Sequence, residues 1–261
     1  MKIVVCIKQV PDTNEVRIDP KTNTLIREGV PSIINPDDKA GLEAAIRLKE
    51  QYGAHVTVVT MGPPQAKLAL REAYAMGADR VILVTDRAFA GADTLATSYT
   101  IASVLKNLEF DLIITGRQAI DGDTAQVGPQ IAEHLGLPQV SYAEEIEKLE
   151  DGLKIKRHFE DGFQMIKIKF PCVITALQEL NKPRFMSVAG IIDAHQKLEI
   201  ETWTVADIKG IDMEAIGLKG SPTKVQKSFT KGAKQAGKIV EGTPRELATA
   251  LVDKLQEKFI I

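Results

Sequence analysis

The sequence lacks the residues on which several common kinds of site depend. Its 261 residues include two cysteines, Cys6 and Cys172, and both lie in apolar runs, so they predict buried free thiols rather than a disulfide framework. The four histidines are too scattered to suggest a metal site. Aromatic residues make up 5% of the chain, which leaves no stacking platform for single-stranded nucleic acid. No Ser-His-Asp or Cys-His arrangement indicates a nucleophile, so no catalytic residue is predicted.

The chain also lacks a charge surplus and a long apolar run. Its 33 basic and 35 acidic side chains give a net charge of −2, with no basic excess to hold a nucleic-acid backbone. No apolar run reaches the roughly 18 residues that span a bilayer, and the amino-terminal run is too short for a signal peptide. We therefore expect a soluble, cytoplasmic protein that binds neither nucleic acid nor membrane. With 44% apolar residues, it can bury at least one full-sized core.

Short β-branched runs alternate with amphipathic helical stretches over about the first 180 residues. This pattern is typical of a parallel sheet covered by helices on both faces. The predicted strands are residues 2–8, 54–60, 80–84, 110–115 and 172–177. We expect a doubly wound, mostly parallel, Rossmann-like α/β fold of the kind that binds adenine nucleotides.

Two segments predict antiparallel pairing instead. In residues 144–170, Ile166 and Ile168 alternate with lysines, and Asp161-Gly162 is a hairpin signal, so this region is expected to form a meander at a sheet edge. Near the amino terminus, residues 16–19 and 24–27 flank a turn and predict a small hairpin.

The region after Pro183 loses its periodicity and predicts an arm. The arm ends in a helix with Thr243 as its cap, Pro244 in the first turn and Glu246 completing a capping box. We expect a nucleotide-binding α/β domain over residues 1–190 and an arm over residues 191–261. The apolar face of the final helix either covers a partner or folds back on its own domain.

Polar strand-to-helix junctions suggest where a ligand binds, because ligands of open parallel sheets lie at the carboxyl ends of the strands. Asn35-Pro36 predicts a helix capped by the Asn35 side chain, with free backbone N–H groups beyond it. Residues 60–63 form a tight turn. Residues 91–98 place hydroxyl groups and free N–H groups at another helix start. Each of these junctions could equally be an ordinary turn or a capped helix.

The longest junction, residues 116–128, gives the strongest signal. Its glycines permit close backbone approach, a helix beginning at Thr124 directs its positive end outward, and Arg117 adds a full charge. Asp121 and Asp123 are expected to cap that helix or to accept hydrogen bonds from ribose hydroxyls. These features suit a nucleotide better than free phosphate, although neither a Gly-x-Gly-x-x-Gly nor a Walker pattern is present and a plain solvated loop remains open.

Several motifs, taken in order, resemble the β subunit of electron transfer flavoprotein. The matching segments are residues 2–11, 35–36, 61–63, 75–80, 116–126 and 180–185, of which Gly-Arg-Gln-Ala-Ile-Asp-Gly-Asp is the most specific. The resemblance implies a heterodimer with an α subunit that carries FAD, a second nucleotide site on this chain, and a C-terminal arm, residues 191–261, whose final helix packs on the α subunit. The implied cofactor-binding residues are Cys6, Asn35, Pro36, Asp38, Met61, Asp93, Thr94, Thr97, Gly116, Arg117, Gln118, Asp121, Gly122, Asp123, Thr124, Ala125, Gln126 and Val127.

The resemblance leaves two nucleotides open for that second site. Family members of the mitochondrial type hold AMP, and members of the electron-bifurcating type hold a second FAD that accepts hydride from NADH. The Asp-Thr-x-x-Thr-Ser segment at residues 93–98 and the segment 127–130 favour FAD. The bifurcating type implies that one electron passes to ferredoxin or flavodoxin and the other, through the FAD of the α subunit, to an acyl-CoA dehydrogenase.

A second resemblance concerns partner docking. Residues 183–192 are similar to the family's recognition loop, and Arg184, Val188 and Ile191 are the implied docking residues, with Val188 at the anchor position. The alternative is a helix start that faces the core. Residues 193–197 lack the lysine cluster that follows the loop in mitochondrial members.

From another functional class, a free-standing nucleotide-sensing α/β module also fits the sequence pattern.

Overall fold

The structure is a computed structural model that describes residues 1–12, 31–223, 237 and 239–260. The described residues fall into two compact units, of which the first takes in residues 1–12 and 31–223 and the second takes in 237 and 239–260. The hairpin expected at residues 16–27 lies outside the described residues, as do residues 224–236, 238 and 261 of the expected arm. Among the described residues, no helix is long and apolar enough to cross a membrane.

In its described residues, the first unit contains eleven strands and five α-helices. The strands are β1 (Lys2–Cys6), β2 (Gln9–Pro11), β3 (Ser32–Ile34), β4 (His55–Met61), β5 (Arg80–Val84), β6 (Leu112–Gly116), β7 (Gln139–Lys148), β8 (Gly152–Phe159), β9 (Gly162–Lys169), β10 (Cys172–Ala176) and β11 (Glu201–Trp203). The helices are α1 (Pro36–Tyr52), α2 (Lys67–Met76), α3 (Thr94–Leu105), α4 (Val127–Leu135) and α5 (Val188–Gln196). The second unit contains α6 (Pro244–Glu257).

The main sheet has nine strands in the order β11-β5-β4-β1-β6-β10-β7-β8-β9. The pairs from β11 to β7 are parallel, and β7, β8 and β9 pair antiparallel at one end. The chain leaves β1 for β4 on one side and later returns to β6 on the other, so the strand order reverses between β1 and β6. The predicted α/β class and the edge meander are therefore confirmed.

Side chains alternate between two cores along β1. Ile3 and Val5 pack in the core that includes residues of α1 and α2, whereas Val4 and Cys6 pack in the core that includes residues of α3 and α4. Successive side chains of a strand point to opposite faces, which is why one apolar run serves both cores. Helices thus cover both faces of the sheet, and the two cysteines are buried free thiols, as predicted.

The remaining differences from the sequence prediction are elements and pairings that it did not include. Strands β2 and β3, which pair antiparallel, were not predicted, and neither was the parallel pairing of β7 with β10. Strand β11 was not predicted, and a helix start near α5 was considered only as an alternative. Because β11 pairs with β5, the first unit continues past the expected boundary at residue 190. The terminal helix is confirmed, since the Thr243 hydroxyl and the Glu246 carboxylate form the capping box at its start.

One carboxylate connects the first turn of α1 to the two central strands. Asp38 Oδ2 accepts a hydrogen bond from Lys8 N at 2.7 Å, and Asp38 Oδ1 accepts one from Gly116 N at 2.9 Å. Asp38 is 7% exposed, and burial raises its pKa to about 7 against the opposing effect of these hydrogen bonds. A Cβ atom at position 116 would lie 2.1 Å from Asp38 Oδ1, so the contact requires glycine there.

Replacing this carboxylate should destabilise the fold. The substitution Asp38→Asn turns one acceptor oxygen into an NH2 donor that faces a backbone N–H donor. Near pH 4, where Asp38 keeps its proton in the folded chain, we expect the free energy of unfolding to fall by about 1–3 kcal/mol, measured by urea denaturation. Asp253→Asn, the same change at an exposed position of α6, is the control and should leave stability unchanged. Equal stability of both variants and the native chain would contradict the structural role of Asp38.

The raised pKa of Asp38 also predicts a pH dependence. An unfolded aspartate titrates near pH 3.9, whereas Asp38 in the folded chain has a pKa of about 7. Between these values the folded state binds more protons, so the contribution of Asp38 to the free energy of unfolding is largest at low pH and is lost as the pH rises towards 7. The stability difference between the native chain and Asp38→Asn should therefore shrink across this window. A constant difference would show that Asp38 does not titrate there.

Candidate functional site

The reversal of strand order places a candidate site at the carboxyl ends of β1 and β6. In open α/β sheets, the loops that follow two such strands diverge to opposite faces and leave a crevice between them. Here, the chain after β1 leads to α1 on one face, and the chain after β6 leads to α4 on the other. Residues 117–126, which join β6 to α4, are named the β6–α4 loop.

Asn35 fixes the β6–α4 loop against the start of α1. Its Nδ2 donates to Gln118 O at 2.8 Å, and its Oδ1 accepts from Ile120 N at 3.1 Å. Asn35 is fully buried and occupies the position before α1, but its side chain makes no capping hydrogen bond. The predicted cap was wrong because the amide group, which carries both a donor and an acceptor, is used to bind the loop backbone instead.

The two aspartates of the β6–α4 loop contact groups of the same chain. Lys8 Nζ lies 2.6 Å from Asp121 Oδ1, and Gln118 Nε2 donates to Asp123 Oδ1 at 2.9 Å. Neither aspartate caps α4, so that part of the prediction was wrong. The Lys8 ammonium partly neutralises the negative charge of a loop that is otherwise unfavourable to an anion.

Helix α4 begins at Val127, three residues later than predicted. Asp123 and Ala125 have φ values of 49° and 52°, which a right-handed helix does not allow. The predicted start at Thr124 was therefore wrong. Left-handed backbone at an alanine is strained, and such strain is typical of sites where the chain must present its backbone to a ligand.

The strained backbone leads into a group of available N–H donors. Ala125 has a positive φ, and Gln126 follows with φ −106° and ψ −33°. A left-handed residue followed by a right-handed one directs successive N–H groups to the same side, which forms an anion-binding concavity. In the part of the chain that the structure describes, the N–H groups of Gln126, Val127 and Gly128 have no intramolecular acceptor. They lie at the positive end of α4, where an anion is favoured.

Arg117 supplies a positive charge at the start of the β6–α4 loop. Its Nε lies 3.4 Å from Asp37 Oδ2, and its guanidinium lies 6.0 Å from the centre of the Tyr142 ring. Burial raises the pKa of Asp37, and the Arg117 charge acts in the opposite direction. The guanidinium is therefore oriented by one carboxylate and one aromatic face.

Tyr142 reaches this position through an irregularity in β7. Its φ is 60°, and its backbone N–H donates to Thr175 Oγ1 at 3.0 Å while the pairing register shifts on both sides of the strand. Bulges of this kind redirect a side chain next to a site. Sequence reasoning missed Tyr142 and Thr175, since nothing in a regular strand pattern marks where a bulge occurs.

The start of α3 adjoins the same loop. Thr94 Oγ1 donates to Gln126 Oε1 at 2.8 Å, so the structure brings these two predicted residues together. Asp93 caps α3, and its Oδ1 accepts from Leu95 N and Ala96 N at 3.0 Å each. These two N–H groups, which the sequence predicted to be free for a ligand, are thus occupied.

The second oxygen of Asp93 is also bound within the chain. Oδ2 accepts from Thr223 Oγ1 at 2.7 Å and from Thr223 N at 3.1 Å. Burial alone would raise the pKa of Asp93, but the hydrogen bonds from Ala96, Thr223 and Leu95 lower it overall. Thr97 is half-buried in the first turn of α3, and its N–H donates to Asp93 O. Asp93 therefore anchors residues of its own chain with both oxygens.

The other predicted contacts to a nucleotide lie at strand ends. Cys6 ends β1 and is 8% exposed, and burial raises the pKa of its thiol to about 12, so its thiolate is unavailable and its backbone is the group that a ligand can meet. Met61 ends the neighbouring strand β4 and is half-buried. Among the described residues, no group of three or more His, Cys, Asp or Glu side chains could hold a metal ion.

The predicted docking residues lie apart from this crevice, at and after Arg184. Val188 begins α5 and is 75% exposed, whereas the buried side chain of α5 is Ala194. The alternative of a helix start that faces the core is therefore wrong. Ile191 is 38% exposed, and Phe185 is 96% exposed. Residues 185–192 are named the docking segment.

Arg184 differs from the rest of the predicted docking set because its guanidinium is bound by α1. It forms ion pairs with Glu43 and Glu50. No local pattern indicates this contact, since the two glutamates lie more than 130 positions earlier in the chain.

Comparison with known proteins identifies the family. Residues 22–208 match the electron transfer flavoprotein domain. The chain is 60% identical over 261 residues to electron transfer flavoprotein subunit beta of Clostridium acetobutylicum, with both chains covered in full.

Two further relatives match over the whole length of both chains. Subunit CarD of the caffeyl-CoA reductase-Etf complex of Acetobacterium woodii is 56% identical over 265 positions. The electron transfer subunit gamma of acryloyl-CoA reductase from Anaerotignum propionicum is 47% identical over 268 positions. With its mostly parallel sheet and these relatives, the chain belongs to the electron transfer flavoprotein family and has the electron-transfer role of a β subunit.

Proposed function

We propose that the crevice between β1 and β6 binds FAD and that the chain is the β subunit of an electron-bifurcating electron transfer flavoprotein. The observation that carries this proposal is the set of N–H donors at Gln126, Val127 and Gly128, which follow strained backbone at the positive end of α4. Donors in this arrangement suit the phosphate groups of a dinucleotide.

The charges around the crevice suit such a group. Gly116 and Gly128 allow close packing beside the crevice, since a Cβ atom at Gly128 would lie 2.5 Å from Thr115 Oγ1. The Arg117 guanidinium is held by Asp37 and Tyr142 at the start of the β6–α4 loop, and Lys8 pairs with Asp121. The backbone of Cys6 and Met61, the first turn of α1 and the β6–α4 loop are the proposed nucleotide contacts, with Thr94 and Thr97 near the diphosphate or the ribityl chain.

The chemistry belongs to the cofactor rather than to a side chain of this protein. When bound, FAD would accept hydride from NADH and pass electrons singly to ferredoxin or flavodoxin and to the FAD of an α subunit. The chain's own part is to hold the nucleotide through backbone amides, to place the Arg117 charge beside it and to bring the α subunit and the partner dehydrogenase into reach.

Partner proteins are proposed from the exposed apolar surface and from the relatives. The docking segment carries exposed Phe185, Val188 and Ile192, a combination that suits an apolar pocket on an acyl-CoA dehydrogenase. CarD is named as a subunit of a caffeyl-CoA reductase complex, and the Anaerotignum relative as a subunit of acryloyl-CoA reductase. Because the relatives are named as subunits, they do not support a free-standing nucleotide-sensing module.

A second candidate is a β subunit that binds AMP and does not bifurcate electrons. The arrangement of Asp93 favours it, because both carboxylate oxygens and the amides of Leu95 and Ala96 are occupied within the chain. A flavin diphosphate at α3 would then find fewer free donors than the sequence suggested. The β6–α4 loop would serve the single phosphate of AMP in the same way.

Coenzyme analysis of the purified heterodimer with its α subunit separates the two candidates. We expect two FAD molecules per heterodimer, no AMP, and bleaching of the flavin absorbance by NADH alone. One FAD and one AMP per heterodimer would contradict the proposal and support the second candidate. One FAD and no second nucleotide would contradict both.

The backbone conformation at Ala125 provides a second test. A β-branched residue strongly disfavours a positive φ, so Ala125→Val should disturb the N–H donors that follow without removing a polar side chain. We expect the nucleotide on this chain to bind at least about tenfold more weakly, because hydrogen bonds to charged groups contribute about 1.5–3 kcal/mol each. The measurement is equilibrium dialysis of the heterodimer followed by coenzyme analysis.

The matched variant is Ala125→Gly, since glycine adopts positive φ without strain. It should retain the nucleotide as well as the native chain does. If valine and glycine variants both bind normally, the left-handed backbone is not part of the nucleotide site.

A further inference from the structure

Glu43 is a buried carboxylate in the middle of α1, outside the nucleotide crevice. It is 2% exposed, and burying a carboxylate is unfavourable unless it is paired and hydrogen-bonded. Its oxygens accept hydrogen bonds from Arg184 Nε at 2.9 Å, from Arg184 Nη2 at 3.1 Å and from Arg184 N at 3.2 Å. Arg47, one turn further along α1, adds a bond from its Nε at 2.9 Å.

Arg184 is held by two carboxylates on the same helix. Its Nη2 also donates to Glu50 Oε2 at 2.9 Å, and its Nη1 donates to Glu50 Oε1. Glu43 and Glu50 are seven residues apart, which is about two helical turns, so both face the same direction. Burial acts to raise the pKa of Glu43, but the bonds from Arg184 and Arg47 lower it overall, which keeps the pair ionised.

The contact includes the main chain of Arg184 as well as its guanidinium. The backbone N–H of Arg184 donates to Glu43, so the carboxylate fixes the position of the chain and not only of a side chain. The next residues are the apolar side chains of the docking segment, and Phe185 and Val188 are 96% and 75% exposed. Apolar groups that face solvent cannot hold the segment in place by their own burial.

The part of the docking segment that lies at the start of α5 is fixed in a different way. The Ser187 hydroxyl accepts a hydrogen bond from Gly190 N at 2.9 Å and so caps α5. A Cβ atom at Gly190 would lie 2.5 Å from Ala75 O, which shows how closely α5 approaches the end of α2. The exposed residues between Arg184 and α5 are thus held between two fixed points.

We propose that Glu43, acting through Arg184, is a positioning residue that preorganises the docking segment for an apolar pocket on the partner dehydrogenase. Fixing the segment before binding removes part of the ordering entropy that association would otherwise have to overcome. Glu50 reinforces the contact from a more exposed position. This inference rests on the docking role proposed above, and its first test is independent of that role.

The first test measures how firmly Arg184 is held. Trypsin cleaves after Arg184 but not after Lys182, which precedes a proline, so the fragment of residues 1–184 reports local opening of this contact. In the purified heterodimer, Glu43→Gln should accelerate the appearance of this fragment about tenfold, because cleavage follows the population of the open form.

The matched control is Arg47→Gln. It removes another hydrogen bond to the same carboxylate, and among the described residues Arg47 makes no hydrogen bond or ion pair with the docking segment. Cleavage after Arg184 should stay within about twofold of the native rate. Unchanged cleavage in Glu43→Gln, or equal acceleration in both variants, would overturn the proposal that Glu43 positions the segment through Arg184.

The second test measures docking itself with the heterodimer and its acyl-CoA dehydrogenase. Glu43→Gln should raise the KM for the dehydrogenase several-fold, whereas kcat and coenzyme content should stay close to the native values. The double variant of Glu43→Gln and Arg184→Gln should raise KM no more than Arg184→Gln does alone, since both changes break one contact.

The two tests separate the possible failures. Faster cleavage with an unchanged KM would support the contact between Glu43 and Arg184 but overturn the docking role of the segment. A higher KM with unchanged cleavage would overturn positioning by Glu43, as would additive effects of Glu43→Gln and Arg184→Gln.

Discussion

The buried carboxylate of Asp38 is the contact on which the candidate site depends. Its two oxygens accept hydrogen bonds from the backbone amides of Lys8 and Gly116. Lys8 follows β1, and Gly116 ends β6. These are the strands between which the sheet reverses its order, and the same side chain sets the distance from α1 to both of them. Since a side chain at position 116 would occupy the place of the carboxylate, the glycine and the aspartate form one structural unit.

Helix α1 extends this constraint from the crevice to the docking segment. Asn35, at its start, holds the β6–α4 loop, and Glu43 and Glu50, further along, hold Arg184. The distance from Asn35 to Glu50 along the helix axis is about 22 Å at 1.5 Å per residue. One rigid element therefore orients both the backbone donors proposed to bind the nucleotide and the apolar residues proposed to meet the partner.

The sequence was sufficient for the fold class because the central parallel strands have clear apolar patterns and the terminal helix has a clear start. The run that begins at Lys2 and the capping box at Thr243 are local signals, and the structure confirms both elements. The predicted helix start at Thr124 and the predicted helix cap at Asn35 were wrong because non-local interactions outweighed local preference. The loop takes left-handed backbone at Asp123 and Ala125, and the Asn35 amide binds that loop instead of its own helix.

Two other contacts had no sequence signal at all. Tyr142 reaches Arg117 only because β7 is irregular, and Glu43 on a helix surface has the pattern of an ordinary solvent-facing glutamate. Their partners are distant in sequence, so only the assembled sheet brings them together. The sequence therefore marked the proposed nucleotide loop by its glycines and charge, but not the side chains that hold it.

A crystal structure of the heterodimer with its bound coenzymes tests the nucleotide site most directly. The phosphate oxygens of a nucleotide on this chain should lie about 3 Å from the N–H groups of Gln126, Val127 and Gly128, with the nucleotide between the ends of β1 and β6. A nucleotide bound elsewhere on the chain, or one whose phosphates make no contact with these amides, would contradict the assignment.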